Sequence, residues 1–220
     1  MAVAMQKPWW MVGGAALLAA GSIAAGLVFR GEYATTQTAR RTFTMDHDFT
    51  TVRKILVRKD AAQQIVTMGG GSEFISQDWT SIGLDANRIL DEIVSPDWKL
   101  ELHGDLRVRT KDEYIGEHEI SLDQEVEIKP DFLHSHVRLD EPAERLRQYE
   151  MRTNFDREGE RSRIDLELTQ EILTDAPWFA HGIADRRVLA SVEQTLENQE
   201  AAIRRLIEEN LDDVPVFPLR

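Results

Sequence analysis

Between His118 and Ile128 the chain alternates with a two-residue period. Ile120, Leu122, Val126 and Ile128 share one parity, and Glu117, Glu119, Ser121, Asp123, Glu125 and Glu127 share the other. Successive side chains of a strand point to opposite faces, so this segment has one dry face and one wet face. The pattern returns in Leu133, Val137 and Leu139, in Tyr149, Met151 and Phe155, and in Ile164, Leu166, Leu168 and Ile172. Turn chemistry at Lys129-Pro130-Asp131, Asp140-Glu141-Pro142 and Arg157-Glu158-Gly159 separates these runs. The prediction is an antiparallel meander with one apolar face that something else must cover.

The cover comes last in the chain. A long helix, from about Pro177 or Ile183 to Asn210, carries Ile183, Val188, Val192, Leu196, Ile203, Leu206 and Ile207 as an apolar stripe. Glu193, Glu197, Glu200, Arg204, Glu208 and Glu209 fall largely outside it. Such a helix buries its stripe against a one-sided sheet. Upstream of the meander, Trp98, Leu100 and Leu102 alternate with Lys99, Glu101 and His103, and Gly104-Asp105 reads as a turn into a strand over Leu106 to Thr110. Glu73 to Ile82 reads as a strand and Leu84 to Val94 as a helix closed by Ser95-Pro96. Earlier still, Arg41 to His47 has strand period. Asp48 or Thr50 then caps a helix with Val52, Ile55 and Leu56, and a second helix with Ala61, Ile65 and Met68 stops at Gly69-Gly70-Gly71. Gly31 to Ala39 reads as a polar linker, and residues 211–220, with Pro215 and Pro218, as an extended tail.

At the N-terminus, Pro8 to Phe29 contains no charged side chain and is bounded by Lys7 and Arg30. A helix of this length crosses the roughly 30 Å hydrocarbon core, and Trp9-Trp10 suit an interfacial belt. The reading is a single transmembrane helix. The competing reading is a signal peptide cleaved after Ser22-Ile23-Ala24, although the apolar run continues through Leu27-Val28-Phe29. Ala16, Ala20 and Ala24 recur at four-residue spacing, which lets helix backbones approach closely in lipid, or is simply an alanine-rich anchor. Arg30, Arg40 and Arg41 outnumber Lys7, and this small excess tilts the orientation toward a cytoplasmic C-terminal domain.

The 180 or so residues beyond the linker suit one domain with a single core. With no cysteine and a net charge of -13, the chain has no disulfide, thiolate or lipoprotein chemistry and lacks the clustered cations that nucleic acid demands. Gly69-Gly70-Gly71 is not followed by the Lys-Ser/Thr of a phosphate loop, and no Gly-x-Ser-x-Gly elbow occurs. No cofactor is expected.

The order strand, two short helices, antiparallel meander, long C-terminal helix resembles the START-like (SRPBCC, polyketide-cyclase-like) superfamily over roughly Arg40 to Asn210. The passage from Leu168-Thr169-Gln170-Glu171-Ile172 through Ala176-Pro177-Trp178-Phe179 to Ile183-Ala184-Asp185-Arg186-Arg187-Val188 is the most similar part. The resemblance implies an α+β helix-grip domain, its sheet curled about the helix around a cavity for a lipid, sterol, polyketide or other apolar molecule. The helix at Leu84 to Val94 departs from that pattern.

Strand parity nominates the polar side chains that face inward: His118 and Gln124 with Ile120 and Leu122, Gln170 with Leu168 and Ile172, Thr153 between Met151 and Phe155, and His47 after Met45, alongside Tyr149. Buried polar groups need partners, so such a cluster suits either a ligand site with polar fixtures or local pairing near strand ends. His134-Ser135-His136 has chelating spacing, but its imidazoles have the outward parity and no third ligand is identifiable, so no metal is assigned. No catalytic residues are assigned. Two functions compete: a membrane-tethered binder of a hydrophobic molecule or lipid, and an accessory subunit docking onto a larger membrane complex. A cyclase- or hydrolase-type enzyme is a third.

Overall fold

The computed structural model describes residues 31–57, 61–80, 99–111 and 116–212. The apolar segment 8–29, with Ala16, Ala20 and Ala24, lies outside the described residues, as do the helix expected over 84–94 and nearly all of the tail. Among the described residues no helix is long and apolar enough to cross a membrane.

Seven antiparallel strands form one sheet: β1 Glu32–Met45, β2 Ser72–Thr80, β3 Leu100–Thr110, β4 Glu119–Ile128, β5 Phe132–Leu139, β6 Leu146–Glu158 and β7 Arg161–Asp175. Their spatial order is β1-β7-β6-β5-β4-β3-β2, so the expected meander runs through the middle and β1 crosses over to pair with β7. Two short helices, α1 Phe49–Leu56 and α2 Ala61–Gly69, follow β1. A 3-10 turn, Trp178–Ala180, leads into α3, His181–Glu209. This is the α+β helix-grip arrangement.

Local chemistry sets the boundaries. The Asp48 carboxylate accepts from the backbone N–H groups of Thr50 and Thr51, satisfying orphan donors at the start of α1. Gly70 and Gly71, with φ of 65° and 71°, turn the chain from α2 into β2. Gly159, with φ of 65°, makes the hairpin between β6 and β7.

The inward parity of β7 is almost fully dry: Ile164, Leu166, Leu168 and Ile172 are at most 1% exposed. Val188, Val192, Leu196, Ile203, Leu206 and Ile207 of α3 are equally buried. Each such side chain contributes about 1.5–3 kcal/mol relative to exposure, so this helix-on-sheet contact is a large source of stability. The closest backbone neighbours of α3 are β1, β7 and α2. The helix therefore covers one side of the sheet and leaves the concave face of β2 to β6 to enclose a space.

Three expectations need correction. The supposed linker over Gly31 to Ala39 is mostly strand, because β1 begins at Glu32 and pairs with β7 from Glu32↔Asp175 to Met45↔Ser162. Its inner parity there is Tyr33, Thr35, Gln37 and Ala39, polar enough to hide the alternation, and α3 satisfies it. Asp185 accepts from the Tyr33 hydroxyl at 3.0 Å and from the Thr35 hydroxyl at 2.6 Å. Next, Gly104-Asp105 is no turn: β3 runs straight through, in register with β4 on one side and β2 on the other. Finally, Ile183 is 48% exposed and is not part of the buried stripe.

Candidate functional site

A cavity of about 600 Å³ lies between the sheet, α2 and α3. Its floor is the inward parity of six strands, β2 to β7, including Leu106, Val108, Ile120, Leu122, Leu133 and Phe155. Residues Ile65 and Val66 of α2 and the Gly69-Gly70-Gly71 bend close one side. The roof is α3, and here the helix is polar: Arg187, Ser191, Gln194, Thr195, Asn198 and Gln199 line the space.

Polar groups also punctuate the apolar floor. Gln77 Nε2 donates to Gln124 Oε1 at 2.8 Å, and Gln124 Nε2 reaches Ser135 Oγ at 3.5 Å, linking β2, β4 and β5. Gly104, the register partner of Gln124, puts no side chain between them. Tyr149 and Gln170 are register partners on β6 and β7 and both line the cavity. Burial pushes the Tyr149 hydroxyl up to about 12, so it stays a neutral donor and acceptor. Gln170 is 4% exposed, and among the described residues its Oε1 is the buried side-chain oxygen with no hydrogen-bond partner. Leaving such an acceptor unmet costs about 1–3 kcal/mol, so the position is suited to a donor carried by an occupant.

Of the residues nominated from sequence, Gln124, Tyr149, Thr153 and Gln170 share the cavity wall. His118 and His47 do not lie on it. His118 precedes β4, with its ring against the Gly116 bend, while its backbone N–H donates to Thr110 Oγ1 at 3.2 Å. His47 sits in the bend after β1, where its carbonyl accepts from Ser162 Oγ at 2.9 Å. In both cases the strand parity stops at the strand end, one or two residues short of the histidine.

The α3 roof was missed by the sequence reading. Its signal is present: Ser191, Gln194, Thr195, Asn198 and Gln199 are uncharged, whereas Glu193, Glu197, Glu208 and Glu209 bring charge to the solvent side. An uncharged polar stripe beside an apolar one marks a face that meets a partly wet interior. On the outer face of the sheet, His134 Nε2 lies 3.2 Å from Asp156 and His136 Nε2 lies 2.9 Å from Glu150. These are cross-strand pairs, and among the described residues no group of three metal-ligating side chains forms.

No family model and no curated protein matches the chain by sequence. Solved structures do match in shape. The protein TTHA0849 from Thermus thermophilus superposes with a TM-score of 0.50 at 14% identity, over 79% of this chain and 98% of that one. A Staphylococcus aureus protein of unknown function, SA2116, gives 0.51 at 8% identity, over 80% and 98%. A START superfamily protein from Mycobacterium smegmatis gives 0.44 at 13% identity, over 77% and 98%. At these identities the likeness concerns the fold alone.

Proposed function

We propose that this domain holds a neutral, largely apolar small molecule between its sheet and α3, and that residues 8–29 tether it to a membrane. The cavity carries the reading: about 600 Å³ falls inside the range of roughly 300–1,000 Å³ typical of small-molecule sites, and its floor is mainly aliphatic. The polar groups narrow the ligand. Gln170 Oε1 calls for a donor, the neutral Tyr149 hydroxyl can both give and accept, and Gln124 is already paired within the wall. A hydroxyl or N–H on an otherwise apolar body satisfies this set. A carboxylate head placed at Gln170 would set a negative charge against its unpaired carbonyl oxygen, and the one charged side chain on the described lining, Arg187, belongs to α3 rather than to that pair.

The test is to purify the full chain from its native membrane in mild detergent and identify bound molecules by native mass spectrometry. One apolar species bearing a donor group, lost on Gln170→Leu, is the expected result. Protein that is empty, and that takes up no apolar probe such as an anilinonaphthalene dye, would overturn the ligand reading and favour the accessory-subunit role.

A further inference from the structure

The start of β1 and the start of α3 meet at one corner of the domain. The Ala176 N–H donates to the Gly31 carbonyl at 3.1 Å, and Glu32 pairs with Asp175. Immediately after this tie come Trp178, 73% exposed, and Ile183, 48% exposed. The Phe179 ring meets Trp178 edge-on, with centroids 5.9 Å apart. A tryptophan left three-quarters in water beside an exposed isoleucine stands out in a chain whose other large apolar residues in α1 to α3 are buried or half-buried. The same helical turns carry Arg186 and Arg187, both exposed and, among the described residues, without an ion pair.

The covalent path says what meets this corner. The uncharged segment ends at Phe29, and two residues on is Gly31, already fixed to the domain. Two residues span at most about 7 Å. If segment 8–29 crosses a bilayer, as proposed above, Gly31 sits in the headgroup layer and brings Trp178 and Ile183 there with it. Indole rings favour that layer, and guanidinium groups one turn away match its phosphates. We infer that Trp178, Ile183, Arg186 and Arg187 form a second, interfacial contact that rests the domain on the lipid surface beside its tether. Arg187 is exposed and also lines the cavity. The contact therefore sets the ligand space against the bilayer, the source from which an apolar ligand is drawn.

This inference rests on the tether, and the experiment separates the two. The chain has no cysteine, so Trp178→Cys and, independently, Ile183→Cys can each carry a single environment-sensitive nitrobenzoxadiazole label, with Glu160→Cys at the β6–β7 hairpin as control. Full-length protein is reconstituted in phosphatidylcholine vesicles with and without acyl-chain-brominated lipid. Expected is carbonate-resistant protein whose label at 178 or 183 is blue-shifted and loses emission to the brominated lipid, while the label at 160 does neither. Carbonate-resistant protein with water-exposed labels at 178 and 183 would overturn the interfacial contact and leave the tether standing. Labels shielded but not quenched would mean protein covers the corner, which also overturns it. Carbonate-extracted protein would overturn both readings.

Discussion

At Gly104 the missing side chain lets β2 lay Trp79 across β3. A Cβ built there would meet the Trp79 ring at 2.7 Å and the Asp78 carbonyl oxygen at 2.8 Å. The indole, 38% exposed at the cavity wall, can swing aside; the backbone carbonyl cannot. Gly104→Ala is therefore expected to destabilise the domain by about 1–3 kcal/mol, the usual range for forced overpacking, read as a lowered midpoint in thermal or urea denaturation. An unchanged midpoint would mean that β2 does not hold this approach. In the sequence, Gly104-Asp105 carries turn chemistry, which is why a break is expected there. Yet Leu102, Gly104, Leu106 and Val108 keep one parity across it, and that continuity was the better guide. A glycine can mark a close approach as well as a bend, and only the opposite strand distinguishes the two.

The elements read from sequence with the least error are those whose apolar period is strong: β4 to β7, α1, α2 and the core of α3. β1 shows the converse. Five threonines in its fourteen residues, Thr35, Thr36, Thr38, Thr42 and Thr44, give β propensity, but apolar alternation is confined to Phe43 and Met45 at its end, and the first half of the strand forms because β7 and α3 supply partners distant in sequence. Its clasp on α3 is ionic. Arg41 donates to Glu200, and to Glu197 at 3.2 Å, while Arg204 donates to Glu200 at 2.7 Å. Burial alone would raise the Glu200 carboxyl, but hydrogen bonds from Arg41 and Arg204 outweigh it and hold the group below the ordinary range of 4.5. A depressed folded-state value means that the stabilisation is present above pH 4.5 and is lost as pH falls through the folded value. Glu200→Gln should cost about 0.5–1 kcal/mol at neutral pH, a modest figure because Arg41 is 40% exposed. It should also flatten the acid limb of a stability-against-pH curve. Parallel curves for parent and variant down through about pH 4 would show that the clasp contributes nothing.

On the scale of the whole molecule, the decisive property is that α3 presents two faces to the inside. The apolar one seals against β1 and β7, and the polar one, uncharged apart from Arg187, hangs over the cavity floor. A sheet of this span, gripped on one flank, cannot close its concave face on the helix and so retains a space. The inner residues of that space were legible because strand parity fixes the face of each side chain. The helix roof was not, because a helix stripe acquires its partner only when the sheet curvature is known. If the space exists to hold a ligand, filling it should abolish binding without unfolding the protein. Leu122 is 6% exposed and lies on the floor of a cavity of about 600 Å³, so a larger side chain has somewhere to go. Leu122→Trp should then shift the thermal midpoint little, because the added ring occupies void rather than displacing packed neighbours. Bound molecule should fall by at least about tenfold, equivalent to about 1.4 kcal/mol. Loss of both fold and ligand would show that the region is a packed core. Full ligand retention in a folded variant would place the binding site elsewhere on the chain.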